Sequence, residues 1–118
     1  MARNPYADYV LDLLSPLGGV ALRAMFGGHG VYRDGIMFGI VADDQLYFKV
    51  DEKTCADYQA RGSEPFTYAA RGKEIRLSYW RVPEDVMEDT DELHIFANRA
   101  GEVARLAQVE KPRRRKAR

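Results

Sequence analysis

Four short apolar runs between Val20 and Val50, namely ALRAMF, VYR, IMFGIV and LYFKV, are cut apart by GGHG, by Asp34-Gly35 and by Ala42 to Asp44. Runs this short, each ended by turn residues, leave little room for helices and predict an antiparallel meander of four strands. Asp34-Gly35 is the clearest hairpin signal, because a two-residue type I′ turn needs positive φ at both central positions and Asp-Gly tolerates it. The strands VYR and IMFGIV should therefore pair.

The flanks read differently. Asn4 before Pro5 is a good helix start, and Tyr6, Tyr9, Val10, Leu13 and Leu14 follow at helical spacing. That helix should stop near Ser15, since Pro16 disfavours helical geometry in the residue before it and Gly18-Gly19 finish the break. Asp51 can cap a second, polar helix over about 52–61, with Gly62 at its end. Two more strands, FTYAA and EIRLSYW, join at Arg71-Gly72, and in the second Ile75, Leu77 and Tyr79 alternate with Arg76, Ser78 and Trp80. Pro83 opens an acidic turn, and a last helix from Thr90 or Asp91 carries a stripe of Leu93, Phe96, Ala97, Ala100, Val103 and Ala104. The expected fold class is α+β: an antiparallel sheet of five to six strands with flanking helices, in the order α-β-β-β-β-α-β-β-α.

A chain of 118 residues has room for one domain, expected over 1–110, and can bury roughly two-thirds of its unfolded surface. No apolar run approaches the ~18 residues needed to span a bilayer, and the start lacks a signal-peptide core, so the expectation is a cytoplasmic protein with no membrane contact. Cys55 is the single cysteine, which excludes an internal disulfide. Net charge is zero, but the last eight residues, KPRRRKAR, hold six Lys and Arg. That leaves twelve Lys plus Arg against eighteen Asp plus Glu over 1–110, a formal charge of −6. The tail 111–118 should be disordered, since a charge run without apolar residues cannot offset its ordering entropy.

No catalytic, metal or cofactor site assembles from the residue pattern. MFGGHG is followed by another strand and has no lysine nearby, so it fits a tight strand connection or bulge better than a phosphate loop. His29, between glycines, and His94, expected to be solvated on a charged helix, lie far from Cys55 in sequence and form no ligand cluster. Cys55 lacks a second thiol or paired histidine, the serines lack a nucleophile motif, and Asp43-Asp44 reads as a turn. Six acids between Glu84 and Glu92 suit the positive end of the last helix. The tail cations Arg113, Arg114, Arg115 and Lys116 are candidate nucleic-acid contacts, because clustered positive charge gains affinity by releasing phosphate counterions.

The run Arg23-x-Met25-Phe26-Gly27-Gly28-x-Gly30-x-Tyr32-x-x-Gly35-x-x-Phe38-Gly39, followed by Leu46-Tyr47-x-Lys49-x-Asp51, resembles the N-terminal domain of the TfoX/Sxy competence-regulator family. The likeness continues through Pro65-Phe66, Tyr79-Trp80 and Pro83. It implies the family's antiparallel sheet with helices and a regulatory, non-enzymatic role. Family regulators promote competence genes together with the cyclic-AMP receptor protein, acting through protein contacts. Full-length members carry a second, helical domain, so the resemblance implies a stand-alone version of the first. The motif's glycines and aromatics also read as turns and core.

The leading expectation is a regulatory module that binds a transcription factor or transcription complex, with weak phosphate affinity from the tail. The alternative is a direct nucleic-acid binder, in which the tail holds the backbone and Tyr47 or Trp80 stacks on bases. A third reading is a small-ligand binder or enzyme with a pocket around His29. An unpaired sheet edge or a helix face leaves a homodimer open.

Overall fold

The computed structural model describes residues 4–25 and 27–116, the side chains of 110–116 excepted. Asn4 accepts hydrogen bonds from the backbone N–H groups of Tyr6 at 3.0 Å and Ala7 at 3.2 Å, and starts α1, Pro5–Leu14. A 3-10 turn, Ser15–Leu17, follows, and Gly18 and Gly19, both at positive φ, lead into the sheet. Its strands are β1 (Val20–Met25), β2 (Gly28–Arg33), β3 (Ile36–Ala42) and β4 (Gln45–Lys49). Then come α2 (Glu52–Ala60), β5 (Pro65–Ala70), β6 (Lys73–Arg81), a short α3 (Glu84–Met87) and α4 (Thr90–Lys116). The expected order holds, with the 3-10 turn and α3 as additions. The expected disordered tail, 111–118, lies outside the residues described with their side chains.

The turns explain the meander. Asp34-Gly35 (φ 52° and 85°), Asp43-Asp44 (52° and 58°) and Arg71-Gly72 (55° and 76°) each put both central residues at positive φ, the signature of type I′ hairpins. At α2, the Asp51 carboxylate accepts from Thr54 N–H at 2.8 Å while the Thr54 hydroxyl accepts from Asp51 N–H at 3.0 Å. The hydrogen bond from the Thr54 backbone N–H is the leading cause that holds the Asp51 carboxyl below its usual range.

All six strands form one antiparallel sheet in the order β1-β2-β3-β4-β6-β5. The excursion through α2 carries the chain past the space beside β4, so β5 becomes an edge and β6 returns to fill that space.

The helices share one face of the sheet. Val31, Phe38, Val41, Leu46, Phe48 and Val82 from the strands pack with Val10 and Leu14 of α1, Tyr58 of α2, Val86 of α3 and Leu93, Phe96, Ala97 and Ala100 of α4. Phe96 stands edge-on to Tyr58, ring centres 5.4 Å apart. Arg61 and Arg99 lie over the Phe96 ring at 5.1 and 4.6 Å. Both arginines reach Asp57, at 3.2 and 3.0 Å, and Arg61 also meets Glu92 at 3.0 Å and Asp85 at 3.5 Å. Part of the acidic stretch thus ties α2 to α3 and α4.

Candidate functional site

Two buried hydrophobic residues, Ile40 and Tyr79, do not belong to the helix-packed core. They mark a second layer on the opposite face of the sheet, on which none of the helices packs among the described residues. Strand alternation and the pairing register assign this layer. Arg23 pairs with Gly30, Met25 with Gly28, Ala21 with Tyr32, Ile40 with Tyr47, Lys49 with Tyr79, and Tyr68 with Ile75.

Side-chain contacts agree with that register. Arg23 lies over the Tyr32 ring at 5.1 Å and Lys49 over Tyr79 at 5.2 Å. Tyr47 stands edge-on to Phe66 at 5.0 Å, and Phe66 neighbours Tyr68 at 6.2 Å. Arg81, paired with Tyr47, lies 3.9 Å from Glu64. Burial, with a smaller contribution from Tyr32, pushes the Tyr79 hydroxyl up to about 12, and burial also raises Tyr47. In a body of net negative charge, this face gathers cations and aromatic rings.

Tyr79 is 8% exposed on this face, and a cavity lined both from β1 and β3 and from β5 and β6, which lie on either side of β4, shows that the sheet curls. Gly28 permits the curl, because a Cβ there would run into the backbone carbonyl oxygen of Val41. Gly30 makes room for its neighbours, since a Cβ there would sit 2.9 Å from the sulfurs of Met25 and Met37 and from the Tyr32 ring. A β-bulge between Val31 and Tyr32 adds local twist.

The family-motif residues Arg23, Met25, Gly28, Gly30, Tyr32, Tyr47 and Lys49 therefore share the open face. Phe38 and Gly39 are buried on β3, with Phe38 in the core, and Gly27 and Gly35 occupy turns at positive φ. Phe26 and the side chains of Arg113, Arg114, Arg115 and Lys116 lie outside the described residues. What sequence reasoning missed is that Met37, Ile40, Phe66, Tyr68, Leu77 and Tyr79 complete the same surface. The every-second-residue spacing of Ile75, Leu77 and Tyr79 was a signal, but it does not say which face a helix will cover.

Other expectations change. His29 is a half-buried strand residue, with no hydrogen-bond partner for its buried Nδ1 among the described residues, because GGHG enters β2 instead of forming a loop. His94 is half-buried and not simply a solvated side chain: its Nε2 donates to the Leu13 carbonyl at 2.8 Å, linking α4 to α1. Trp80 pairs with Phe48 and packs against the helix-side core, which withdraws it as a base-stacking candidate. Cys55 is half-buried against the same core.

Among the described residues, no group of His, Cys, Asp and Glu could hold a metal ion, and no helix is long and apolar enough to cross a membrane.

The chain is 28% identical over 75 residues to Protein Sxy of Escherichia coli, covering 64% of this chain and 36% of that protein. It is 29% identical over 73 residues to the DNA transformation protein TfoX1 of Aliivibrio fischeri, covering 62% of this chain and 35% of that protein. The matched stretch thus spans about a third of each relative. Residues 12–104 match the TfoX N-terminal domain, which takes in the whole sheet and most of the helical layer, and the chain belongs to the TfoX N-terminal domain family.

Proposed function

We propose that this domain is a non-catalytic regulatory module, acting in the cytoplasm in competence-type transcription control, and that it works by contacting a protein partner. The carrying observation is the gathering of Arg23, Tyr32, Tyr47 and Lys49 on a sheet face that no described helix covers. Aromatic and arginine side chains on an accessible surface are the usual anchors of protein contacts. Two relatives, one named a DNA transformation protein, support the competence setting. The cyclic-AMP receptor protein is the partner to test first. Surface plasmon resonance of this chain against that receptor on promoter DNA should give saturable binding. Arg23→Glu combined with Lys49→Glu should weaken it by about tenfold or more, and Arg105→Glu on α4 should not. No binding, or equal loss from the α4 control, overturns the reading.

Direct nucleic-acid binding is the second reading, favoured by the cations Arg23, Lys49 and Arg81 beside Tyr47 and the exposed Tyr68. Stacking is worth ~1–3 kcal/mol per base. Fluorescence anisotropy of residues 1–118 and 1–110 with single-stranded DNA across a salt series separates the sources of affinity. Binding that survives in 1–110 and falls with Tyr68→Ala supports stacking on the sheet. Loss on truncation alone assigns the affinity to the tail.

A further inference from the structure

Beside this charged, aromatic surface the curled sheet encloses a cavity of about 420 Å³. Met25, Ile40 and Ala42 from the β1–β3 side face Phe66, Tyr68 and Leu77 from β5 and β6 across it. Among the described residues, no charged side chain lines it. We propose that this cavity is a binding site for an uncharged, flat, fused-ring aromatic molecule, which would give the domain a small-molecule input separate from its protein contact.

The volume falls within the range of about 300–1,000 Å³ that small-molecule sites occupy. Its chemistry selects the ligand class. A charged ligand would lose its hydration against Ile40, Ala42 and Leu77 with no counter-charge in the wall, a penalty of several kcal/mol. A flat aromatic ring instead meets the rings of Phe66 and Tyr68 and the thioether of Met25, which favour aromatic edges and faces. Water gains little there, because a wall of apolar side chains offers few hydrogen bonds. The cavity follows from the same curl that Gly28 permits, so it belongs to the folded sheet and needs no opening motion. Arg23 and Lys49, on which the protein-contact reading rests, do not line it, so the two proposals can fail separately.

The probe is N-phenyl-1-naphthylamine, an uncharged aromatic whose fluorescence rises in apolar surroundings, titrated into the full chain. Saturable enhancement is expected, with affinity falling by about tenfold or more in Ala42→Phe and in Leu77→Trp, which fill the cavity from opposite walls. Circular dichroism establishes that each variant is folded. In the unaltered protein, nuclear Overhauser contacts should run from the probe to the Met25 methyl and to Phe66 and Leu77, which tests the site even if neither variant folds. The proposal is overturned by non-saturable uptake, by unchanged affinity in folded variants, or by contacts to the exposed Leu106 and Val109 of α4 in place of the cavity wall. It is equally overturned if the cavity variants abolish partner binding while the probe never binds, since the cavity would then receive a partner side chain.

Discussion

Replacing Gly28 by alanine isolates the backbone approach that shapes the open face. The added Cβ would meet the Val41 carbonyl oxygen, a backbone atom held within β3, so β2 and β3 must separate locally. Overpacking of this kind costs about 3 kcal/mol. Loss of glycine's freedom in the unfolded chain returns about 0.4–1 kcal/mol. The net expectation is a destabilisation of about 2–3 kcal/mol. At roughly 2.1 cal/mol/K of unfolding entropy per residue, that lowers the melting temperature by about 8–12 °C. Gly30→Ala is the internal control. Its Cβ would also be crowded, at 2.9 Å, but by two methionine sulfurs and a tyrosine ring edge, all able to shift. Repacking and the chain-entropy gain should nearly cancel, leaving a change within about 0.5 kcal/mol. Urea unfolding and calorimetry of both variants measure the difference. Equal effects, or a Gly28→Ala change within about 0.5 kcal/mol, would refute the idea that backbone contact at Gly28 governs the curl.

Further outcomes follow from named contacts. Phe96→Ala, at 2% exposure beneath two arginines, should cost about 3–5 kcal/mol in urea unfolding. Asp57 is held below the usual carboxylate range, first by its hydrogen bond from Arg99 and then by Arg61. Its charged form therefore stabilises the fold above the unfolded value near ~3.9, and that contribution is lost as pH falls through the lower folded value. Asp57→Asn should thus be less stable than the parent at neutral pH and converge on it in acid, as read from paired denaturation curves. Tyr79 has the opposite sign: its stabilisation is complete below pH ~10 and lost as pH rises towards about 12, so Tyr79→Phe should resist base unfolding better than the parent. His94→Ala removes the 2.8 Å link from α4 to the Leu13 carbonyl and should cost about 1 kcal/mol, measured by calorimetry.

The sequence by itself determined the local events. Asn4-Pro5, Asp51 and the residue pairs at 34–35, 43–44 and 71–72 carry their own conformational preferences, so helix starts and hairpin turns follow from a few adjacent side chains. The family likeness was likewise legible in the 23–51 motif. Tertiary structure decided which face of each strand met the helices. Strand periodicity divides Ile75, Leu77 and Tyr79 from Trp80 but is symmetric between the two faces. The placement of α1, α2 and α4 broke that symmetry, bringing Trp80 against the core and leaving Tyr79 on the open side. The same holds for Gly28 and His29: a glycine-rich tetrapeptide is locally compatible with a loop or a strand. The pairing of β2 between β1 and β3, and the close approach to Val41 that only a residue without Cβ allows, fixed it as a strand. The open face draws on β1 through β6, residues up to fifty-eight positions apart from Arg23 to Arg81, and could exist only once long-range pairing had closed the sheet.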